Sequence, residues 1–376
     1  MQPVLSLCLV VKNEALLLGQ CIGSLNKIVD EIVIADTGST DNTVKIAKSF
    51  GANVISYRWN GSLGRAKNTC LRHATGKWIL FLDGDEKIAE KDILRLRRLL
   101  CQKSNVSAYY LPIRNYTKTY NLLWQWFPNN GKYPEEEKTS QCPGWFQTEV
   151  IRLFRNREEI RYEEGYSGHV SPLVSLQKHK ALIHTADVVI HHFEYLKGGD
   201  KFVEEKQRRW FKSELKHTKI FQRDFLTFLN IGKTLFSRKK DRQAIIYLKK
   251  AAQLNPTNDY IYFVIGLVFK EMGDYKNAVL NLKQAIKLNP QGADAWTVLG
   301  MIYHLCQKLR AAEEALKKAI QIRPLHPLAH NSLGIVYQDQ FRYREAEREY
   351  QEAIRIHPEH PDAHHNLNLL YECQQK

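Results

Sequence analysis

The chain has 376 residues, 44% of them hydrophobic and 25% charged, the balance of a globular protein long enough for two or three domains with real cores. Its formal charge of +15 admits an anionic substrate or an anionic membrane surface, while the lack of an aromatic–basic recognition motif argues against nucleic acid as a partner. Seven scattered cysteines with no CxxC pair exclude a disulfide framework and a zinc site, and the apolar N-terminal run, about seven residues, is too short for a signal peptide or a membrane span.

As far as about Tyr110 the chain alternates strand and helix. "VLSLCLVV" (4–11) is a continuous apolar run, as expected of a strand covered on both faces of a parallel sheet. "EALLLGQCIGSLNKI" (14–28) has helical spacing, "EIVIAD" (31–36) reads as a second strand, and "DNTVKIAKSFG" (41–51) as a helix closed by Gly51. A third strand "NVISYR", a third helix "GRAKNTCLRHAT" and a fourth strand "WILFLD" follow. Such β-α alternation with short links predicts an open, mostly parallel α/β sheet, whose ligands sit at the carboxyl ends of the strands. Asp36 and Asp83 lie there.

Residues 111–200 are less regular and rich in Trp, Tyr, Gly and Pro, the composition of a binding surface or lid. Between Lys201 and Lys250 there are 15 Lys/Arg against 5 Asp/Glu, a basic stretch that reads as a solvated helical face or as a peripheral contact with an anionic membrane. From about residue 225 the chain repeats. Pro256, Pro290, Pro324 and Pro358 fall at one constant interval, and the same interval separates Gly232, Gly266, Gly300 and Gly334, and Ala244, Ala278, Ala312 and Ala346. It is the tetratricopeptide period of about 34 residues, four repeats and a capping helix forming an all-α solenoid.

The chemistry gathers in the α/β half. Asp36, in "ADTGSTDNT", can accept hydrogen bonds from a base or ribose, or can equally serve its own turn. Asp83-Gly84-Asp85, at a strand end, forms a hard oxygen site suited to Mg²⁺ or Mn²⁺ bridging substrate phosphates. Neither a Walker A loop nor GxGxxG is present, so a metal and basic side chains, with Arg65 and Lys67 at hand, must hold any diphosphate. A nucleotidyltransferase would carry a glycine-rich basic loop near the first strand, which "LVVKNEALLLG" lacks.

The segments "LSLCLVVKNEALLLGQCIGSL", "VDEIVIADTGSTDNTVKIAKSFGANV" and "RAKNTCLRHATGKWILFLDGDE" resemble family 2 glycosyltransferases of the GT-A fold, in the branch where that domain precedes tetratricopeptide repeats. The resemblance implies a Rossmann-like nucleotide-sugar-binding domain over 1–200, a basic helical linker over 201–224 and repeats over 225–376. It implies a hexosyltransferase that moves a sugar from a nucleoside diphosphate, with UDP expected, to an acceptor hydroxyl with inversion, using Mn²⁺ or Mg²⁺. By the same resemblance Val11 and Glu14 line the nucleoside pocket, Asp36 binds the base, and Asp83 with Gly84 meets the ribose or metal. Asp85 and His192, in "VIHHFEYLKGG", ligate the metal, and His191 points the other way. Glu149, in "TEVIRLFRN", is the first candidate for the base that deprotonates the acceptor. His169, in "EEGYSGHVSPLV", is the second, although Val170 stands where relatives carry glutamate and Glu163 or Glu164 can substitute. Glu86 reads as a supporting or helix-leading neighbour. The repeats imply a protein partner, with a protein or glycan acceptor, and the location reads as cytoplasmic or peripheral to a membrane. The competing reading is a tetratricopeptide scaffold whose α/β domain binds nucleotide sugar without turnover.

Overall fold

The computed structural model describes residues 4–102, 104–117, 123, 126–129, 142–163, 172–193 and 225–374. These fall into two compact units. One holds the described residues of 1–117 and 145–213, and the other those of 118–130, 140–144 and 214–376. The basic 201–224 segment, Glu164 and His169 lie outside the described residues.

In the first unit the strands are β1 (Leu5–Val11), β2 (Glu31–Asp36), β3 (Asn53–Ser56), β4 (Trp78–Phe81), β5 (Glu86–Ile88) and β6 (Val106–Thr117). They continue with β8 (Gly144–Arg155), β9 (Leu182–Thr185) and β10 (Ile190–His192), while the two-residue β7 (Phe127–Pro128) falls in the second unit. The sheet runs β3-β2-β1-β4-β8-β6-β10-β5, with β9 beside β6. β1 pairs in parallel with β2 and β4, β8 lies antiparallel against β4, and β10 runs parallel to β6 but antiparallel to β5. The predicted parallel sheet is therefore one half of a mixed sheet. The stretch read as irregular contributes two twelve-residue strands, β6 and β8. Their sequences hide this, because Pro112, Arg114 and Asn115 interrupt the apolar pattern of β6, and Gln147 and Glu149 that of β8.

β1 shows why the core forms. Its side chains alternate across the sheet: Leu5, Leu7, Leu9 and Val11 join one apolar cluster and Cys8 the other. The first cluster is covered by α1 (Leu18–Leu25), α2 (Thr43–Ser49) and α4 (Glu90–Cys101), the second by α3 (Leu63–His73) and α5 (Leu173–Lys178). With neighbours on both faces β1 has no wet side, hence its unbroken apolar run.

The second unit is built of paired antiparallel helices. Each repeat contributes an A and a B helix: Phe225–Ser237 with Asp241–Leu254, Asp259–Glu271 with Tyr275–Leu288, Ala293–Leu305 with Leu309–Ile322, and Pro327–Asp339 with Tyr343–Ile356. A last helix, Pro361–Gln374, follows. The periodic glycines mark where A and B backbones approach. A Cβ on Gly266 would stand 2.7 Å from Leu282 Cγ, and one on Gly334 2.6 Å from a ring carbon of Tyr350. The periodic alanines are wholly buried. Among the described residues no helix is long and apolar enough to cross a membrane.

Candidate active site

Because β1 has β2 on one side and β4 on the other, the chain order reverses between β1 and β4, and in open α/β sheets ligands bind beyond the carboxyl ends at such a point. Val11 ends β1 directly beside Asp36 at the end of β2. The loops that follow are tied together by a residue the sequence reading passed over, Asn13. Its backbone is left-handed at φ 56°, a conformation that asparagine tolerates better than most residues. Its Oδ1 accepts the Thr40 N–H at 2.8 Å, and its own N–H donates to Ser39 Oγ at 2.9 Å. Asp36 serves its own turn, its carboxylate accepting the N–H groups of Gly38 and Ser39 at 3.1–3.2 Å. Gly38 takes φ 98°, which favours glycine. Asp36 is 7% exposed.

Glu14 and the Asp-Gly-Asp turn meet at these strand ends. A Cβ on Gly84 would lie 2.9 Å from Glu14 Cγ, so only glycine lets the Glu14 side chain cross the turn. That close approach joins two residues that the sequence reading assigned to the donor.

The carboxylates sort into two groups. Asp83 and Glu86 share one cation, Arg152 of β8, which donates to Asp83 Oδ2 at 2.8 Å and to Glu86 Oε1 at 2.6 Å. Glu86 also accepts the Asp83 N–H at 2.8 Å. Glu86 does not lead a helix; it opens β5, and its side chain is 1% exposed against 46% for Asp83. Lys67 lies inward, 4.9 Å above the Phe81 ring and 5.1 Å from that of Tyr162, while Arg65, on the same helix turn, is exposed. Burial pushes the Asp83 carboxyl up, but Arg152, Lys67 and His192 outweigh it and hold the group well below the usual carboxylate range. For Glu86 burial wins: with the Asp83 charge it overcomes Arg152 and raises the carboxyl to about 7. Burial likewise lowers the Lys67 ammonium to about 8, against the opposing pull of Asp83. Two carboxylates and two cations thus form one nearly neutral cluster, buried except at Asp83. Arg152, the arginine of "RLFRN", is the positive partner that the acidic run at 83–86 requires, and its motif was its signal.

Asp85 belongs to the second group. It is 4% exposed, and its Oδ2 lies 3.3 Å from His192 Nε2. The other His192 nitrogen, Nδ1, is 2.7 Å from Asn115 Oδ1, and Asn115 Nδ2 donates to Thr148 Oγ1 at 3.1 Å. An asparagine oxygen can only accept, so His192 Nδ1 carries the proton in its neutral form and Nε2 presents a lone pair toward Asp85. Asn115 and Thr148 carried no sequence signal. His191 points away. It is fully buried, bonded to the Tyr116 hydroxyl at 2.7 Å and stacked on that ring, and burial, then Arg114, Lys87 and Lys91, lower its imidazole to about 3.

No group of three His, Cys, Asp or Glu side chains among the described residues is gathered as a metal cage. The Asp85–His192 pair still fits a divalent ion, since such ions on nucleotide substrates take one or two carboxylates and complete their shell with phosphate and water. A histidine with its far nitrogen fixed by hydrogen bonding is the usual form of such a ligand. Glu149 is exposed on β8, and its hydrogen bond comes from Gln147 Nε2 at 3.4 Å; the structure does not bond it to Asp85 or His192. Glu163 is exposed. A wide cavity of about 810 Å³ beside Lys77, Arg155 and Lys180 opens at the other end of β4, away from all of these residues.

Residues 6–160 match the family described as Glycosyl transferase family 2. Residues 227–258, 266–305 and 292–359 match three tetratricopeptide repeat families. A TPR repeat-containing protein of Synechococcus elongatus is 32% identical over 194 residues, covering 50% of this chain and 42% of that protein. An uncharacterized glycosyltransferase of Rickettsia felis is 38% identical over 90 residues, covering 23% and 30%. The SPbeta prophage-derived glycosyltransferase SunS of Bacillus subtilis is 25% identical over 274 residues, covering 71% and 57%. The chain thus spans less than two thirds of the length of each of these relatives. Among solved structures, MamA is 28% identical with a TM-score of 0.38, over 42% of this chain and 91% of that one. The chain carries a family 2 glycosyl transferase domain over residues 6–160, followed by tetratricopeptide repeats.

Proposed function

We propose that the chain transfers a sugar from a nucleoside diphosphate donor, UDP being the expected nucleotide, to an acceptor hydroxyl with inversion, aided by a divalent metal. The observation that carries this reading is the convergence of His192 Nε2 and Asp85 Oδ2 at 3.3 Å beside the Asp83 turn, at the strand ends where a family 2 domain holds its donor. When bound, Mn²⁺ or Mg²⁺ supplies a Lewis acid to the leaving diphosphate.

The protein's own groups do the rest. Val11, Glu14 and Asp36 shape the nucleoside pocket and Asp83 faces the ribose. Arg152 and Lys67 keep Asp83 ionised, and the exposed Arg65 offsets negative charge on the diphosphate. Asp85 and His192 hold the ion, and Asn115 fixes the His192 tautomer. Glu149 or His169 takes the acceptor proton, and the acceptor is a protein or glycan brought by the repeats.

The test is release of UDP from UDP-glucose, UDP-N-acetylglucosamine or UDP-galactose with Mn²⁺, alone and with a candidate acceptor. Turnover should be lost on Asp85→Ala, by more than the roughly 10–100-fold that loss of a residue merely supporting a metal ligand costs. Nucleotide-sugar binding without turnover for any donor would instead support the scaffold reading. No binding of any nucleotide sugar refutes both.

A further inference from the structure

The second unit includes residues that the sequence order places between β6 and β8, and these meet the repeats in an ordered way. Trp126 is 2% exposed and packs against the His357 ring at 5.3 Å. The Arg323 guanidinium stands 5.3 Å from the centre of the Phe127 ring. The Tyr260 hydroxyl donates to the Leu123 carbonyl. Arg323 and His357 are equivalent positions in successive repeats, each ending a B helix before its turn into the next A helix. Tyr260 opens the A helix after the corresponding turn of an earlier repeat. Successive repeats thus present a row of side chains along one rim, and one short segment runs past it.

The segment is shaped for that position. The Asn129 N–H donates to the Pro143 carbonyl at 2.8 Å and Asn129 Nδ2 to that of Cys142 at 3.3 Å, so the outgoing and returning strands of the connection are closed against each other. Gly144 lies under Trp126, where a Cβ would stand 2.1 Å from the indole. A tryptophan seated on a histidine, an adjacent phenylalanine under an arginine and a main-chain carbonyl on a tyrosine make up the contact set of a bound aromatic peptide.

We infer that the rim formed by Tyr260, Arg323 and His357 is a peptide-recognition surface whose occupant is this chain's own Trp126–Phe127 segment. The rim is therefore taken in cis, and any partner recruited by the repeats uses a different face. In sequence the segment lies between β6, which carries Asn115, and β8, which carries Arg152. This inference does not depend on the donor, the metal or catalysis.

The experiment compares the full-length protein with Arg323→Ala, His357→Ala and Trp126→Ala. Hydrogen exchange at the Phe127 and Asn129 amides should accelerate at least tenfold in the two repeat variants, while the A and B helices keep their protection. A labelled synthetic peptide with the sequence of residues 121–130 should bind Trp126→Ala, whose rim is vacated, and not the wild type, whose rim is filled. Unchanged exchange at Phe127 in both repeat variants overturns the inference, as does equal peptide binding by wild type and Trp126→Ala, or binding by neither.

Discussion

Arg152→Met is the most informative single change in the transferase domain. It removes the cation shared by Asp83 and Glu86 and leaves one uncompensated negative charge beside a Glu86 side chain that is 1% exposed. Removing one partner of a buried ion pair typically costs about 3–5 kcal/mol. The site has an escape, because Glu86 can take up a proton, and its carboxyl already sits at about 7. Arg152 is itself one of the groups that lower that value, so in the variant the carboxyl lies higher and uptake at pH 8 costs at most roughly 1.4 kcal/mol. The lost charge-assisted bond to Asp83 adds about 1.5 kcal/mol, the low end of the range because Asp83 is 46% exposed. The expected loss is therefore about 1.5–3 kcal/mol at pH 8, at or below the low end for a buried pair because the proton relieves the lost charge. The loss should shrink as pH falls toward 7, where the wild-type Glu86 also takes up its proton, since a carboxyl with its folded value raised favours folding when protonated. The assay is urea unfolding from pH 6 to 8, followed by exchange at the Leu80 and Leu153 amides of β4 and β8, in wild type, Arg152→Met, Glu86→Gln and the double variant. Coupling between the two changes should exceed about 1 kcal/mol. A loss under about 1 kcal/mol at pH 8, or the same loss with and without Glu86→Gln, would refute the shared-cation account.

Asn115→Ala should weaken Mn²⁺ binding by roughly 10–100-fold, the usual cost of losing a residue that orients a metal-ligating histidine, read by Mn²⁺ paramagnetic resonance without donor, and Asn115→Asp should restore part of it. Lys67 is lowered to about 8 by burial, so the folded state binds fewer protons than the unfolded chain between pH 8 and 10.5 and the wild type should gain stability over Lys67→Met across that window; a flat difference in melting temperature would count against the buried ammonium. Gly300→Ala places a Cβ 2.6 Å from Leu316 Cγ, and such overpacking should cost about 1–3 kcal/mol, seen as a lower melting transition of the helical unit with donor binding unchanged.

Much of the site was legible because its parts are local. Asp83, Gly84 and Asp85 sit in one turn at the end of an apolar strand, and the His191–His192 pair alternates across a strand as any such pair must. The helical repeats were equally legible, since each repeat packs on its neighbours and the sequence period restates the spatial one. Their glycines and alanines recur because the same close approach recurs once in every repeat.

What the sequence could not determine is what stands across from these residues. Arg152 is 69 positions from Asp83 and Asn115 is 77 from His192. They meet only because β8 lies antiparallel beside β4 and β10 lies parallel beside β6. Strand order follows from how the whole sheet buries its two faces, and no local pattern in β6 or β8 encodes it. For the same reason Glu86, counted in the sequence with the working carboxylates' neighbours, takes its role from a distant arginine, and Trp126 takes its role from a histidine near the far end of the chain. Composition and periodicity determined which surfaces had to be covered; the tertiary structure decided what covers them, because pairing between distant segments is a property of the packed whole.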